Sequence, residues 1–151
     1  MTHKLRRVAA LAATAAVAAP VAATAATRPA KTAEPIGHVD RTSKSTAKLK
    51  ISYSCKSGTT LWISLKQTKS GHKSKRLKRE GSSRAAQAWW QSHRNKIRCN
   101  GEEHTKRFKV DKVEPGSKGR LKEGWAWLQF CVTKGNKLTV SVAEWVRVET
   151  E

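Results

Sequence analysis

Acidic residues are scarce in this sequence. Eleven Asp and Glu stand against 31 Lys and Arg, which gives a formal net charge of +20 over 151 residues. A glycoside hydrolase needs two carboxyl groups on either side of the scissile bond. The acids that could supply such a pair lie mostly in predicted turns or at exposed positions: Glu102, Glu103, Asp111, Glu114, Glu123 and Glu144. A two-carboxylate mechanism therefore has little support.

Motifs of catalysis and metal binding are also missing. The chain has no Gly-x-Ser-x-Gly turn, no His-Glu-x-x-His and no phosphate-cradling glycine loop. Its three cysteines lack paired ligand spacing and its five histidines are scattered, so we expect neither a metal nor a cofactor. The best catalytic alternative is a small secreted nuclease with Glu103 as base, His104 as acid and Arg107 on the phosphate. Adjacent strand residues point to opposite faces, so we predict a protein that is not an enzyme.

The first 26 residues have the three-part pattern of a secretory signal peptide. A positive segment at residues 1–7 precedes an alanine-rich run at residues 8–26, and small residues near position 24 offer cleavage sites. Alanine is only weakly apolar and Pro20 interrupts the run, so a membrane anchor is the weaker interpretation. We therefore predict a secreted, extracellular protein whose mature form does not span a membrane.

Removal of this leader takes 26 of the 151 residues and leaves 125, enough for one domain. The leader holds three of the 31 basic residues and no acid, so the mature charge is about +17. Residues 27–45 contain two prolines and no hydrophobic periodicity, which predicts a flexible segment. Residues 46–151 then form the folded domain.

Within that domain, apolar and polar residues alternate in short stretches, the pattern of half-buried β-strands. A hairpin over residues 125–148, with a turn at residues 134–137, carries the strongest signal. Residues 68–83 predict a basic loop with a short edge strand near Leu77, and residues 84–91 fit either a helical turn or a strand. The other predicted strands lie at residues 46–53, 60–67, 96–99 and 104–113. About seven strands predict an all-β fold, an antiparallel two-sheet sandwich of immunoglobulin-like architecture.

Several short motifs then allow a comparison with a known group. The alanine-rich leader, the Tyr53-Ser54-Cys55 strand end, the Cys99-Asn100-Gly101 turn and the following His104-Thr105 strand resemble the small secreted β-sandwich proteins of actinomycetes. The resemblance covers about residues 46–148. It implies a fold and an extracellular location, and it implies no activity.

Three cysteines in a secreted chain indicate one disulfide and one further cysteine. Cys55 and Cys99 share the parity of their apolar strand neighbours, so both should point into the interior. Cys131 has the opposite parity to its apolar neighbours. We therefore predict a Cys55–Cys99 disulfide, with Cys131 either a small apolar residue or, if exposed, a site of intermolecular linkage.

Six tryptophans are many for this length. Four of them fall on the nominally polar face of their strands: Trp62, Trp125, Trp127 and Trp145. Such a row can be an open platform on which sugar rings or bases stack. Alternatively residues 68–95 fold over it and form a second small core, which we favour because large apolar patches are uncommon on monomers.

Basic residues occupy outward strand positions, with more in the loop at residues 73–79. If the strands are neighbours, they form one basic face that suits nucleic acid, wall polyphosphate or sulfated glycan, without reading base sequence. We therefore expect a non-enzymatic β-sandwich that binds anionic polymers, with a carbohydrate-binding module using the tryptophans as the alternative. A merely solvated charged face is the other interpretation. The candidate residues are Lys48, Lys50, Lys73, Lys75, Arg76, Lys78, Arg79, Lys96, Arg98, Arg107 and Lys109.

Overall fold

A computed structural model describes residues 32–43, 46–79, 85–94, 96–117 and 119–150. The predicted leader at residues 1–26 lies outside the described residues. The strands are β1 (Thr32–Arg41), β2 (Ala47–Ser54), β3 (Thr60–Gln67), β4 (Ala88–Arg94), β5 (Glu103–Val110), β6 (Lys112–Val113), β7 (Gly124–Lys134) and β8 (Lys137–Thr150), and a 3₁₀ helix spans Lys75–Lys78.

The all-β prediction is confirmed, and the strands form one mixed sheet in the order β5-β2-β1-β8-β7-β3-β4-β6. All neighbours are antiparallel except β1 and β8, which pair in parallel over Val39–Arg41 of β1. The two-sheet sandwich is not confirmed, because strand pairing runs without a break through all eight strands.

The sheet curls into a half-barrel. Strands β5 and β7 are four positions apart in the strand order, a separation of about 19 Å in a flat sheet. Yet the ring centroids of Phe108 on β5 and Phe130 on β7 are 5.5 Å apart. Only Asp111 separates β5 from β6, and β6 pairs with β4. The two edges of the sheet therefore approach each other at that end.

The main core fills the concave side, where period-two alternation directs apolar side chains. The residues predicted to point inward on β2 are all buried. The residues predicted to form the apolar face of β3 and of β7 are buried as well. Each fully buried large apolar side chain contributes about 1.5–3 kcal/mol. The inward residues on these three strands are Ala47, Leu49, Ile51, Tyr53, Leu61, Ile63, Leu65, Ala126, Leu128, Phe130 and Val132.

The hairpin prediction is confirmed, since Lys134 pairs with Lys137 and the turn between them holds two residues. Gly135 there has φ 55°, a left-handed conformation that glycine adopts without steric cost. Asn136 does not share this conformation, because no non-glycine residue in the described ranges has a positive φ.

Strand β1 corrects the prediction of a flexible segment at residues 27–45. Thr32–Arg41 is a ten-residue strand between β2 and β8. A register shift between Ile36 and Val39 encloses Gly37, with φ 74°, and it breaks the alternation that would mark a strand in the sequence. Pro35 lies before the pairing with β8 begins at Val39, where β1 has one partner strand and proline is tolerated.

The middle of the chain differs from the prediction in two places. Leu77 was expected near a short edge strand, whereas it lies in the 3₁₀ helix and is fully buried. Residues 96–99 were expected to form a strand and have no regular secondary structure. The undecided stretch at residues 84–91 becomes strand β4 from Ala88 onward.

The predicted Cys55–Cys99 disulfide is present, and it ties residues 96–99 to the end of β2. Cys131 lies outside this bond, half-buried on the other face of the sheet, as its parity predicted. No helix among the described residues is long and apolar enough to cross a membrane.

Candidate polyanion-binding surface

Two neighbouring strands bring four of the predicted basic residues together. In the register of β2 and β5, Lys48 lies opposite Lys109 and Lys50 lies opposite Arg107. The residues between them point into the core, so these four side chains occupy the convex face. We call Lys48, Lys50, Arg107 and Lys109 the β2–β5 basic face. Lys48 is half-buried and the other three are exposed.

Like charges directly opposite each other destabilise a sheet. Carboxylates offset this only in part. Arg107 Nη1 lies 3.5 Å from Asp40 Oδ2, and Lys109 Nζ lies 3.2 Å from Asp111 Oδ2. Lys48 and Lys50 form no ion pair with a carboxylate in the described part of the chain. The β2–β5 basic face therefore keeps an excess of positive charge that an external anion would stabilise.

An acidic group bounds this face on the side of β1. His38 Nε2 lies 2.8 Å from Asp40 Oδ1 and 3.5 Å from Glu149 Oε2, and Asp40 pairs with Glu149 in the β1–β8 register. These residues lie on β1 and β8, which stand in the sheet order between β2 and β7. The basic surface is consequently narrower than the single face expected from the sequence.

Lys96 and Arg98 do not join the β2–β5 basic face. Both are exposed on the segment that Cys99 fastens to Cys55, and Arg98 Nη2 lies 3.7 Å from Glu102 Oε2. Cys55 is five residues beyond Lys50 on β2, which corresponds to about 16 Å along a strand. The structure thus separates these two cations from the other four.

The basic loop also lies elsewhere. Lys73 Nζ is 3.7 Å from the ring centroid of Trp125, and Lys78 Nζ is 5.0 Å from that of Trp127. Both tryptophans are on β7, which β1 and β8 separate from β2. The expected extension of the basic face by Lys73, Lys75, Arg76, Lys78 and Arg79 is therefore not what the structure shows. The loop is a cover for the tryptophan row.

Around Trp127, a row of side chains crosses four strands in register. Its members are Trp89 on β4, Lys66 on β3, Trp127 on β7 and Trp145 on β8. Trp127 is 7 % exposed and its ring meets that of Trp145 edge-on at 5.1 Å. Leu77 and Trp127 are both buried, and neither belongs to the main core cluster. The aromatic platform is accordingly covered over Trp127, in agreement with the covering interpretation.

Burial of Lys66 has the same cause. Its Nζ donates to the carbonyl of Arg79 at 3.2 Å and lies 4.6 Å from the ring centroid of Trp89. The remaining outward tryptophans are half-buried: Trp125 lies beneath Lys73, and Trp62 donates from Nε1 to Gln91 Oε1 at 2.8 Å.

The residues of the nuclease alternative are divided between the two faces. Glu103 accepts a hydrogen bond from Ser52 on the convex side. His104 packs against Tyr53 with ring centroids 5.6 Å apart, and its Nε2 lies 2.7 Å from Asn100 Oδ1. Arg107 is on the face of Glu103, so the three do not converge on one substrate position. Within the described ranges, no three His, Cys, Asp or Glu side chains are grouped so that they could hold a metal.

Tyr53 and Glu144 have displaced pKa values. Burial raises the pKa of Tyr53 above 10.0, and the nearby Arg98 charge opposes part of that rise. Burial also raises the pKa of Glu144 above 4.5, and the like charge of Glu34 adds to the rise. The sequence alone did not predict either pKa shift, because each shift depends on residues distant in the chain.

Sequence reasoning also missed a pocket of about 310 Å³ beside the hairpin turn, lined by Lys56, Ser57, Lys134, Lys137 and Thr139. The available signal was the pair of lysines on either side of the predicted turn. Their convergence with Lys56 comes from the fold alone.

Comparison with known proteins adds no identification. No protein-family model matches the chain, and no curated protein sequence matches it. Function is therefore inferred from the surface chemistry of the chain itself.

Proposed function

We propose that this chain is a secreted, non-enzymatic β-protein that binds anionic polymers through the β2–β5 basic face. The observation that supports this most strongly is the pairing of like charges across β2 and β5. A sheet gains nothing in stability from Lys48 opposite Lys109 or Lys50 opposite Arg107. Like-charge pairs that lower the stability of the sheet are explained if a ligand binds to them.

The spacing favours a polymer over a small anion. The two charge pairs are two residues apart along each strand, about 7 Å, and their members are about 5 Å apart across the sheet. Four cations in this array meet successive charges of a chain such as nucleic acid, wall polyphosphate or sulfated glycan. Their contacts would be with phosphate or sulfate groups, so binding would be indifferent to base sequence.

An extracellular location supports the choice of ligand. A buried disulfide is compatible with an oxidising compartment, and the leader pattern at residues 1–26 favours export. Resemblance to the secreted β-proteins of actinomycetes points the same way. The proposed partners are therefore anionic polymers at the cell surface.

The proposal is tested by binding the purified protein to immobilised duplex DNA, heparin, a wall polyphosphate and a neutral polysaccharide over a series of salt concentrations. We expect retention on the three anionic polymers at low salt and steep loss as salt rises, since counterion release drives such binding. Failure to bind any of the three at low ionic strength contradicts the proposal. Retention on the neutral polysaccharide that survives high salt would instead support the carbohydrate-binding alternative, through the half-buried tryptophans.

A further inference from the structure

The pocket beside the β7–β8 turn collects charge of one sign. Lys134 and Lys137 flank the turn, and Lys56 reaches it from the loop that follows β2. Ser57 and Thr139 supply the other lining side chains. At about 310 Å³ the pocket is at the lower limit of those that hold small ligands. We call these five residues the lysine pocket.

The lysine pocket has no internal counter-charge. None of its three lysines forms an ion pair with a carboxylate in the ranges that the structure describes. The hydroxyl of Thr139 donates to the carbonyl of Val132 at 3.0 Å, which leaves Ser57 as the hydroxyl that could donate to a ligand. The lining residues thus offer three lysines and the Ser57 hydroxyl as donors, and they include no carboxylate.

The backbone beneath the lysine pocket is held in place. Thr59 N donates to the carbonyl of Thr133 at 2.9 Å, and Gly101 N donates to that of Cys55 at 2.8 Å. A Cβ at Gly58 would overlap the side chain of Val132 and lie 2.8 Å from the sulfur of Cys99. The segment carrying Lys56 and Ser57 therefore lies directly against the disulfide and β7. Binding a ligand would order only the ends of the lysine side chains, which limits the entropic cost.

From this geometry we propose that the lysine pocket is a discrete site for one doubly charged tetrahedral oxyanion, a phosphate or sulfate group. Lysine ammonium groups bind such groups as point charges. A singly charged carboxylate would compensate fewer of the three cations. The site is separate from the β2–β5 basic face, since Lys50 lies four residues before the end of β2, about 13 Å along the strand, and Lys56 lies in the loop beyond that end.

Nuclear magnetic resonance titration of the full chain with inorganic phosphate tests this proposal, at constant ionic strength and with acetate as the comparison anion. We expect saturable shifts of the Gly58 and Thr139 amides with phosphate and with sulfate, and binding of acetate weaker by about tenfold or more. In the Lys134→Ala/Lys137→Ala variant, phosphate binding should weaken at least about tenfold. The Lys75→Ala/Arg76→Ala variant removes the same charge from exposed positions outside both proposed sites; it is the matched control and should keep the binding of the unchanged protein.

Linear, non-saturating shifts, or equal binding by the two double variants, would overturn the proposal. The thermal midpoint of each variant shows whether it remains folded, and Lys56→Gln provides an independent variant outside the hairpin turn. A short oligonucleotide with and without a 5′-phosphate then distinguishes the sources of the group. Preference for the phosphorylated form that disappears with Lys134→Ala/Lys137→Ala identifies a polymer end, whereas no preference identifies a free small anion.

Discussion

Tyr53 is the only tyrosine of the chain, and it is 2 % exposed on the inward face of β2. Its ring centroid lies within 6.0 Å of those of His104, Phe108 and Phe130. It therefore joins the β5 and β7 parts of the curled sheet. Because burial disfavours the phenolate, its ionisation reports directly on whether the concave core is intact.

Alkaline titration of this single tyrosine should have a midpoint above the ordinary pKa of 10.0. A raised pKa in the folded state means that stability from this group is full below pH 10.0 and is lost as pH rises through the raised value. Difference absorbance of tyrosinate measures the midpoint, and Tyr53→Phe should remove the signal. Arg98→Gln should move the midpoint higher, since Arg98 lowers this pKa. A midpoint at or below 10.0 would mean that the side chain is not buried.

Glu144 gives a second pH-dependent prediction, which concerns stability between pH 4 and pH 7. Its pKa is raised by burial and by Glu34, so the folded state binds its proton more tightly than the unfolded state. Its contribution to stability is full below pH 4.5 and is lost as pH rises through the raised value. Glu144→Gln should therefore raise the free energy of unfolding at pH 7, and the gain should vanish near pH 4.

Urea unfolding at both pH values measures this effect. Glu123→Gln is the matched control, because it removes the same charge from an exposed position before β7 and should not reproduce the difference between the two pH values. A gain for Glu144→Gln that is equal at pH 4 and pH 7 would show that charge is not its cause.

Among the elements, the segment at residues 68–79 packs against strand β7. Leu77 is fully buried in the 3₁₀ helix, and Lys73 and Lys78 lie over tryptophan rings of β7. Each exposed cation–π contact contributes about 0.5–1 kcal/mol. Burial of Leu77 is the larger contribution, so apolar packing rather than charge holds this cover on the sheet.

Leu77→Ala should accordingly lower the free energy of unfolding by about 2–3 kcal/mol, at the lower part of the range for a core leucine. Its neighbour Lys75 is exposed on the same 3₁₀ helix, and Lys75→Ala should change stability by less than about 0.5 kcal/mol. Urea unfolding followed by tryptophan fluorescence measures both. Equal, small effects of the two substitutions would show that the loop does not cover Trp127.

Local alternation was sufficient to predict β3 with the bounds that the structure has, because Leu61, Ile63 and Leu65 share one face of Thr60–Gln67. It could not predict β1, where a bulge at Gly37 interrupts the period and pairing with distant strands decides the conformation. Parity also placed the four residues of the β2–β5 basic face on one side. Which strands are neighbours, and where the basic loop packs, depend on long-range contacts that period-two patterns do not encode.

At the scale of the whole molecule, the excess of positive charge is not spread evenly over the sheet. The β2–β5 basic face and the lysine pocket lie in different regions, and the acidic group of His38, Asp40 and Glu149 bounds the former. A half-barrel with a packed concave core leaves its convex side and rims for binding. Of the two proposed anion sites, the β2–β5 basic face lies on the convex side and the lysine pocket lies at a rim.

The dependence of duplex DNA affinity on salt tests the central claim most directly. Lys48→Ala/Lys50→Ala and Lys75→Ala/Arg76→Ala remove the same charge, from the β2–β5 basic face and from the exposed part of the covering loop. We predict that the first pair lowers the magnitude of the slope of log affinity against log salt by about 1.8, from 0.9 per contact, and that the second leaves it nearly unchanged. Equal reductions in the two variants would contradict the account, because binding would then follow net charge alone and not the β2–β5 basic face.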